Sequence, residues 1–156
     1  MYFNFSTHWP NNWWQRRSFL RAWWQLYAGD RQWTPPAYAA FSRVVGSANH
    51  PLYDRLASQP LYMEALPRRG PSASFNPNAP IAASVAFEEP VAATIVQIDR
   101  RRDDGAACLG LLRCANDEET LERLLAAAFE HVAEQGCTHL LGPTGINVVT
   151  RLLGML

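Results

Sequence analysis

The chain contains no lysine, and all fourteen of its basic residues are arginine. This absence excludes Schiff-base catalysis, which needs a lysine amine, and the phosphate-binding P-loop, whose motif includes a lysine. Acidic residues also number fourteen, so the formal net charge is zero. Because nucleic acids and anionic membrane surfaces attract proteins with excess positive charge, we expect neither of them as a partner.

Cysteine is scarce, and the three cysteines, Cys108, Cys114 and Cys137, are not closely paired. An odd number of such cysteines is typical of a reducing compartment rather than of a disulfide framework, so we expect a cytoplasmic protein. The sequence also lacks an apolar run of about 20 residues, the length that crosses a bilayer. Its N-terminus lacks the basic region and apolar core of a secretory signal.

With 156 residues, the chain is long enough to form one domain with a substantial core. We interpret 1–156 as a single domain in three parts: a helical segment over 1–45, an irregular loop region over 46–80, and a sheet with helices over 81–156. Within the irregular region, residues 61–66 are compatible with either a short strand or a helical turn.

A tryptophan-rich amphipathic helix is predicted near the N-terminus. Asn11 or Asn12 caps its start, and Gly29 ends it after about Ala28. A short second helix is expected over residues 37–45. Apolar positions recur at helical spacing on one side of the first helix, and three arginines occupy the other side. These arginines are Arg16, Arg17 and Arg21.

The tryptophans exceed what one helix face can bury. Five of the six lie on or beside the first helix, and two adjacent pairs occur among them. Since neighbouring positions point in different directions around a helix, the rings cannot all face one sheet. We therefore expect at least one of Trp9, Trp13 and Trp14 to be exposed or at an interface.

The remainder of the chain has the character of a sheet with helices. Two strands joined by a turn at residues 88–90 are predicted to form a hairpin, and a third strand and a helix follow. The order β-β-β-α-β-α is typical of an α+β or mixed α/β sheet. The predicted strands cover 81–87, 91–98, 107–114 and 138–141, and the helices cover 118–135 and 146–153.

Between the third strand and its helix, the loop leads directly onto a helix N-terminus. Such a junction often binds an anion or a nucleotide, because the first helical N–H groups have no partner inside the helix. Here the loop lacks glycine, and Asp117, Glu118 and Glu119 make it acidic. The scaffold indicates a cofactor-binding fold, whereas these residues disfavour a working anion site.

The segment from Tyr27 to Pro36 resembles the "Y-x-x-D-x-x-W-x-P-P" opening of GNAT-like bacterial N-acyltransferases. The later order of hairpin, strand with acidic loop, helix and Gly142-Pro143 is similar to that family as well. The resemblance implies a GNAT fold, which is a mixed, mostly antiparallel sheet flanked by helices. In this fold the central strand of the sheet splays from its neighbour. It implies that acetyl-CoA or another acyl-CoA binds in this gap, against Leu112, Arg113 and Cys114.

Active members of that family carry Q/R-x-x-G-x-G/A in the loop that holds the CoA pyrophosphate. Arg113 matches the first position, but both glycines are absent. We therefore interpret the chain as a GNAT-like domain related to acyl-CoA-dependent N-acyltransferases with a degenerate pyrophosphate loop. The alternative is a non-catalytic dimerisation or substrate-recruiting domain. Because relatives often carry a second GNAT-like half downstream, we expect either the N-terminal part of a longer protein or a short relative that forms a homodimer.

Two sets of side chains have possible chemistry of their own. Cys137, His139 and His131 lack the four spaced ligands of a zinc site, so we expect no metal. Cys114 lies at a helix N-terminus, where a thiol can become reactive, but neighbouring acids oppose ionisation. We favour a buried, unreactive role for Cys114, and we place Cys108 on the same face of the strand.

Two charged clusters complete the candidates. The run of arginines over 100–102 is flanked by aspartates, which indicates a solvated hairpin tip rather than a phosphate site. Glu88 and Glu89 are candidate general bases for an attacking amine, but charged residues are also expected at the turn predicted there. Catalytic residues therefore stay unassigned at this level.

Overall fold

A computed structural model describes residues 2–34, 38–46, 56–67 and 88–144 of the chain. The five strands of this part form one sheet in chain order, antiparallel except for the last pair, in which β5 runs parallel to β4. This mixed, mostly antiparallel sheet with helices confirms the predicted fold class. The elements are β1 (Tyr2–His8), α1 (Trp13–Leu26), α2 (Tyr38–Gly46), β2 (Leu56–Pro67), β3 (Glu89–Asp99), β4 (Ala106–Cys114), α3 (Glu118–Glu134) and β5 (His139–Thr144).

The helices begin and end at the residues that the sequence marks. Asn12 caps α1 and forms a reciprocal capping box with Gln15. Asp117 caps α3 through its side chain. Gly29 and Gly136 follow the two helices with φ of 93° and 81°, a conformation that glycine adopts without steric cost. All three predicted helices that fall on described residues are confirmed; the helix predicted over 146–153 lies outside them.

Two strands lie where the sequence predicted other structure. β1 falls in the segment expected to be helical, and β2 falls in the region expected to be irregular, where only 61–66 was considered as a strand. Pro60 weakens the strand signal of β2, since proline cannot donate to a ladder. The structure accommodates it because β1 pairs with β2 only as far as Tyr62, so Pro60 lies beyond the end of β1.

The strand predicted over 91–98 is confirmed as β3, whereas the hairpin turn predicted at residues 88–90 is wrong. β3 pairs with β2 on one edge and with β4 on the other, so both of its neighbours are accounted for. Glu89 and Pro90 belong to β3 and pair with β2 rather than forming a turn. Residues 81–87 themselves lie outside the described part. The turn from β3 to β4 is confirmed, with Gly105 at a φ of 68°.

Two hydrophobic clusters cover the two faces of the sheet. On one face, α1 and α2 pack against alternate residues of β2 and β3, around Phe19, Trp23 and Phe41. On the other face, α3 packs against the remaining alternate residues, with Leu124 and Val132 fully buried. In the described part of the chain, no helix is long and apolar enough to cross a membrane.

The burial of α1 confirms one expectation and corrects another. Trp13 and Trp14 are 52% and 69% exposed, as the surplus of tryptophan predicted. Arg16, expected on the same polar side as Arg17, is only 8% exposed and belongs to the buried face. The sequence pattern could not show this, because the surroundings of Arg16 come from distant elements, including the carbonyl of Val45.

Candidate functional site

The centre of the sheet is interrupted by a bulge in β4. Leu111 and Leu112 both lie opposite the single residue Thr94 of β3. Leu111 has a φ of 52°, which is rare for a residue with a branched side chain. The Thr94 hydroxyl donates a 2.9 Å hydrogen bond to the carbonyl of Gly110, just before the bulge. An extra residue of this kind bends its strand and changes the direction of its side chains.

The bulge reverses which residues of β4 face α3. Before it, Ala107 and Leu109 lie in the cluster under α3. After it, Leu112 and Cys114 lie there, although simple alternation would have placed them on the other face. Cys108 and Cys114 therefore lie on opposite faces of the sheet. The prediction that they share a face is wrong, because it assumed uninterrupted alternation.

Beside the bulge, the described pairing of β4 with its parallel neighbour ends at Thr144. Pairing of β4 with β5 runs from Ala106 to Gly110, and in the described part of the chain no residue of β5 pairs beyond that point. Gly142 of β5 approaches closely, since a Cβ built on it would lie 2.7 Å from the Cβ of Leu109. Among the described residues, none of β5 pairs with the edge of β4 from Leu111 to Cys114, the position where the resemblance placed an opening.

The C-terminal end of α1 contacts the bulge through Arg113. The Nη2 of Arg113 donates to the Asp30 carboxylate at 3.3 Å, and the Nε of Arg113 donates to the carbonyl of Leu26 at 3.3 Å. Its guanidinium also lies 4.6 Å from the centre of the Tyr27 ring. The Arg113 side chain therefore holds α1 against β4 and is directed to the face opposite α3.

The segment that carried the family resemblance packs around this contact. Tyr27 stacks on Trp33 with ring centres 4.6 Å apart, and Asp30 pairs with Arg113. Trp23 donates from its indole Nε1 to the carbonyl of Leu111 at 3.0 Å. The sequence pattern did not predict these roles, although Tyr27, Asp30 and Trp33 lie inside the segment that carries the resemblance. Pro35 and Pro36 lie outside the described residues.

The loop onto α3 uses several of its amides internally. The amide of Ala115 donates to the carbonyl of Val91 at 2.7 Å, and the amide of Asp117 donates to Ala115 at 2.8 Å. One carboxylate oxygen of Asp117 accepts from the amide and the hydroxyl of Thr120, at 3.1 and 2.6 Å. The next two residues are both glutamate. The N-terminus of α3 is therefore surrounded by the protein's own carboxylates.

The three residues predicted to contact a cofactor are adjacent but do not converge. Leu112 and Cys114 pack on the α3 side of the sheet, whereas Arg113 reaches across to α1. Their shared feature is backbone, since all three lie on the part of β4 that is not paired with β5. A ligand at this edge of β4 would meet main-chain N–H and C=O groups rather than a cluster of functional side chains.

Burial raises the pKa of the Cys114 thiol to about 11, and the nearby charge of Asp117 adds to the effect. The half-buried thiol is therefore protonated at neutral pH. Since the thiolate is the nucleophilic form, Cys114 is not an activated nucleophile. This result agrees with the prediction of an unreactive side chain.

Alkylation of Cys114 tests this directly. We expect iodoacetamide to modify it slowly at pH 8 and to react faster as the pH rises towards about 11. Asp117→Asn removes the charge but keeps a capping side chain, so it should move the profile to lower pH. Peptide mapping by mass spectrometry across a pH series, with a small free thiol as reference, measures both. A midpoint at or below 9.0, the ordinary value, would contradict the burial argument.

The other candidates are placed as follows. Glu88 is exposed and accepts a 2.9 Å hydrogen bond from the hydroxyl of Ser6. His131 stacks on Trp9 with ring centres 4.4 Å apart. The Nδ1 of His139 lies 2.7 Å from the hydroxyl of Thr138. Over the described ranges, no three His, Cys, Asp or Glu residues come together in a way that could hold a metal ion.

The charged turn after β3 contains two local ion pairs. Arg101 pairs with Asp99 at 2.7 Å, and Arg102 pairs with Asp104. The hydrogen bonds from these arginines lower the pKa of both aspartates to about 2. This confirms the predicted hairpin tip for these two arginines. Among the described residues, no carboxylate forms an ion pair with Arg100.

No protein-family profile matches the sequence, and no curated protein matches it. The structure is similar to crystal structures of an aminoglycoside acetyltransferase from an uncultured soil metagenomic sample. The complex with trehalose has a TM-score of 0.53 and 7% identity, covering 94% of this chain and 82% of that chain. The complex with sisomicin has a TM-score of 0.53 and 9% identity, covering 97% and 84%. At such identity the similarity shows the fold, that of a GNAT-type acetyltransferase.

Proposed function

We propose that this chain is a GNAT-like domain related to acyl-CoA-dependent N-acyltransferases, with a pyrophosphate loop that does not hold CoA tightly. The observation that carries the proposal is the N-terminus of α3. A carboxylate of the chain, that of Asp117, already accepts the hydrogen bonds from Thr120 that an incoming anion would otherwise receive.

Electrostatics support this interpretation. The N-terminus of a helix attracts negative charge through its free N–H groups and its dipole. In α3 that attraction acts first on Asp117, Glu118 and Glu119, which are fixed in the first turn or its cap. A pyrophosphate would have to displace the cap and then lie beside two further carboxylates. Repulsion between like charges opposes such a complex.

The opening beside β4 supports an ancestral or residual acyl-CoA site. In the described part of the chain, its edge from Leu112 to Cys114 does not pair with β5 and offers backbone groups to an extended ligand, as a sheet edge does for an added strand. In an active enzyme of this class, an amine would attack the thioester carbonyl directly. The nitrogen would lose a proton to a base, and CoA would leave as the thiol. Cys114 would form no covalent intermediate, because its pKa is raised.

The alternative, a non-catalytic recruiting or dimerisation domain, is supported by the exposed Trp13 and Trp14. Adjacent exposed indoles are frequent in protein interfaces. A homodimer, or pairing with a second GNAT-like half, stays a prediction. Light scattering on the samples used for the binding experiment measures it.

The decisive experiment is titration with acetyl-CoA, followed by thermal shift and calorimetry. We expect no saturable binding by the native chain at millimolar ligand. We expect the double variant Asp117→Gly with Glu118→Gly to gain measurable affinity. A ligand at about 100 times its Kd would stabilise the folded form by roughly 2.7 kcal/mol.

The matched control is Glu122→Gln with Glu130→Gln, which removes two charges from exposed positions of the same helix. It should bind acetyl-CoA no better than the native chain. Saturable binding of acetyl-CoA by the native chain would refute the proposal that its pyrophosphate loop is degenerate. Failure of the double variant to bind, while it remains folded, would show that the opening beside β4 is not a CoA site.

A further inference from the structure

A cleft of about 350 Å³ lies at the other end of the sheet from the α3 N-terminus. It forms where the first residues of β2 and the last residues of β3 meet the C-terminal end of α3. A volume of this size suits a small molecule. Apolar side chains from β2 and β3 line part of it, and the polar lining consists of Arg16, Ser58, Gln59, Arg100, His131 and Gln135.

Arg16 is the unusual member of this lining. It is only 8% exposed, and its Nε is buried without a hydrogen-bond partner. Its Nη1 donates to the carbonyl of Val45 at 3.1 Å, and among the described residues no acceptor meets the edge formed by Nε and Nη2. Within the described ranges, no carboxylate forms an ion pair with this guanidinium.

A buried guanidinium that faces only a neutral carbonyl is energetically costly, because it has lost water without gaining a counter-charge. The cleft offers no compensation, since its lining among the described residues includes neither Asp nor Glu. The carbonyl end of α3 carries only partial negative charge. Its carbonyls at Val132 and Ala133 already accept hydrogen bonds from the residues that follow the helix.

Arg100 provides a second positive charge. Its neighbours Arg101 and Arg102 are paired with Asp99 and Asp104. Arg100 lines the cleft and, in the described part of the chain, has no such partner. Within the described ranges, two arginines without carboxylate partners thus line one cleft, Arg16 from α1 and Arg100 from the turn after β3.

We infer that this cleft binds a small organic oxyanion, a carboxylate or phosphate monoester that carries a short apolar group. The Nε–Nη2 edge of Arg16 matches the spacing of two oxygens on one such group. Arg100 neutralises the charge from the open side, and Leu56 and Ala57 of β2 line the apolar part of the cleft. This site is separate from the edge of β4, and because acetyl-CoA carries a phosphate monoester, any binding of acetyl-CoA by the native chain is repeated with Arg100→Gln to distinguish the two sites.

The test uses the native chain and three probes at constant ionic strength: propionate, methyl phosphate and the neutral isostere propionamide. NMR detection of the Arg16 Nε–Hε signal reports on the buried guanidinium itself. We expect this signal to shift and saturate with propionate, with methyl phosphate or with both, and the pair of titrations identifies the preferred oxyanion. Propionamide should leave it unchanged. Failure of both anions to saturate, or an equal response to propionamide, would overturn the inference.

Variants distinguish specific binding in the cleft from general attraction of anions to positive charge. Arg16→Lys keeps the charge but loses the planar fork, so binding, measured for all variants by calorimetry, should weaken about tenfold. Arg100→Gln changes an exposed side chain, keeps the fold and should also weaken binding. The control Arg17→Gln removes one charge from the exposed neighbour of Arg16 and should leave affinity within about twofold. A loss with Arg17→Gln as large as that with Arg100→Gln would show attraction to net charge alone.

Discussion

Replacing Trp23 with alanine is expected to lower the free energy of unfolding by about 3–5 kcal/mol, the usual range for a buried aromatic residue. Trp23 is 3% exposed and lies at the centre of the aromatic cluster. Its ring centre lies 4.7 Å from that of Phe41 and 4.6 Å from that of Tyr27. Its removal would leave a cavity between α1 and α2 that these neighbours cannot fill without moving.

The same substitution removes a contact with the bulge of β4. Trp23→Phe isolates this part, because it keeps most of the ring but loses the bond from Nε1 to the carbonyl of Leu111. We expect Trp23→Phe to cost less than Trp23→Ala, by the difference between a lost hydrogen bond and a cavity. Urea unfolding followed by far-ultraviolet circular dichroism measures both losses.

Trp14→Ala is the matched control, since Trp14 lies on the same helix and is 69% exposed. Its effect should stay within about 0.5 kcal/mol, as for most surface substitutions. If Trp23→Ala and Trp14→Ala cost the same, the aromatic cluster would not be the core that joins α1 to the sheet.

Gly142→Ala is expected to destabilise the contact between β4 and β5 by about 2–3 kcal/mol, because overpacking forces the backbone to shift. The new Cβ would lie 2.7 Å from the Cβ of Leu109 and 3.0 Å from its carbonyl oxygen. Neither atom belongs to the flexible end of a side chain, so the strands themselves must separate. Hydrogen exchange should then increase at the amides of β4 from Ala106 to Gly110.

Gly29→Ala serves as the comparison for that experiment. Gly29 has a φ of 93°, but a Cβ built there meets no atom within 4 Å. Its substitution strains the backbone without crowding a neighbour. We expect its exchange effect to remain near the end of α1. Increased exchange in β4 and β5 with Gly29→Ala, or none with Gly142→Ala, would contradict this explanation.

The elements that the sequence predicted well are those with local signals. α1 and α3 have capping residues, apolar positions at helical spacing and a glycine after the last turn. β4 has a short apolar run bounded by a turn. β1 and β2 lack such signals, and Pro60 argues locally against a strand, so their positions depend on pairing with β3 and with each other.

The features of the candidate site also divide into those set by neighbouring residues and those set by residues far apart in the chain. The sequence located the loop, its acidic residues and the absence of glycine, because these are properties of neighbouring residues. It could not show that Arg113 reaches Asp30 or that Arg16 is buried, since both facts depend on residues far apart in the chain.

By itself, the sequence determined the helices, the central strand and the sign of the charge at the α3 N-terminus, because short-range geometry and capping fix them. Only the tertiary structure decided which faces the side chains of β4 meet. One extra residue opposite Thr94 reverses their alternation, and the bulge is held by hydrogen bonds from Thr94 to the Gly110 carbonyl and from Trp23 to the Leu111 carbonyl. The physical reason is that a strand's register is set by its neighbours rather than by its own residues.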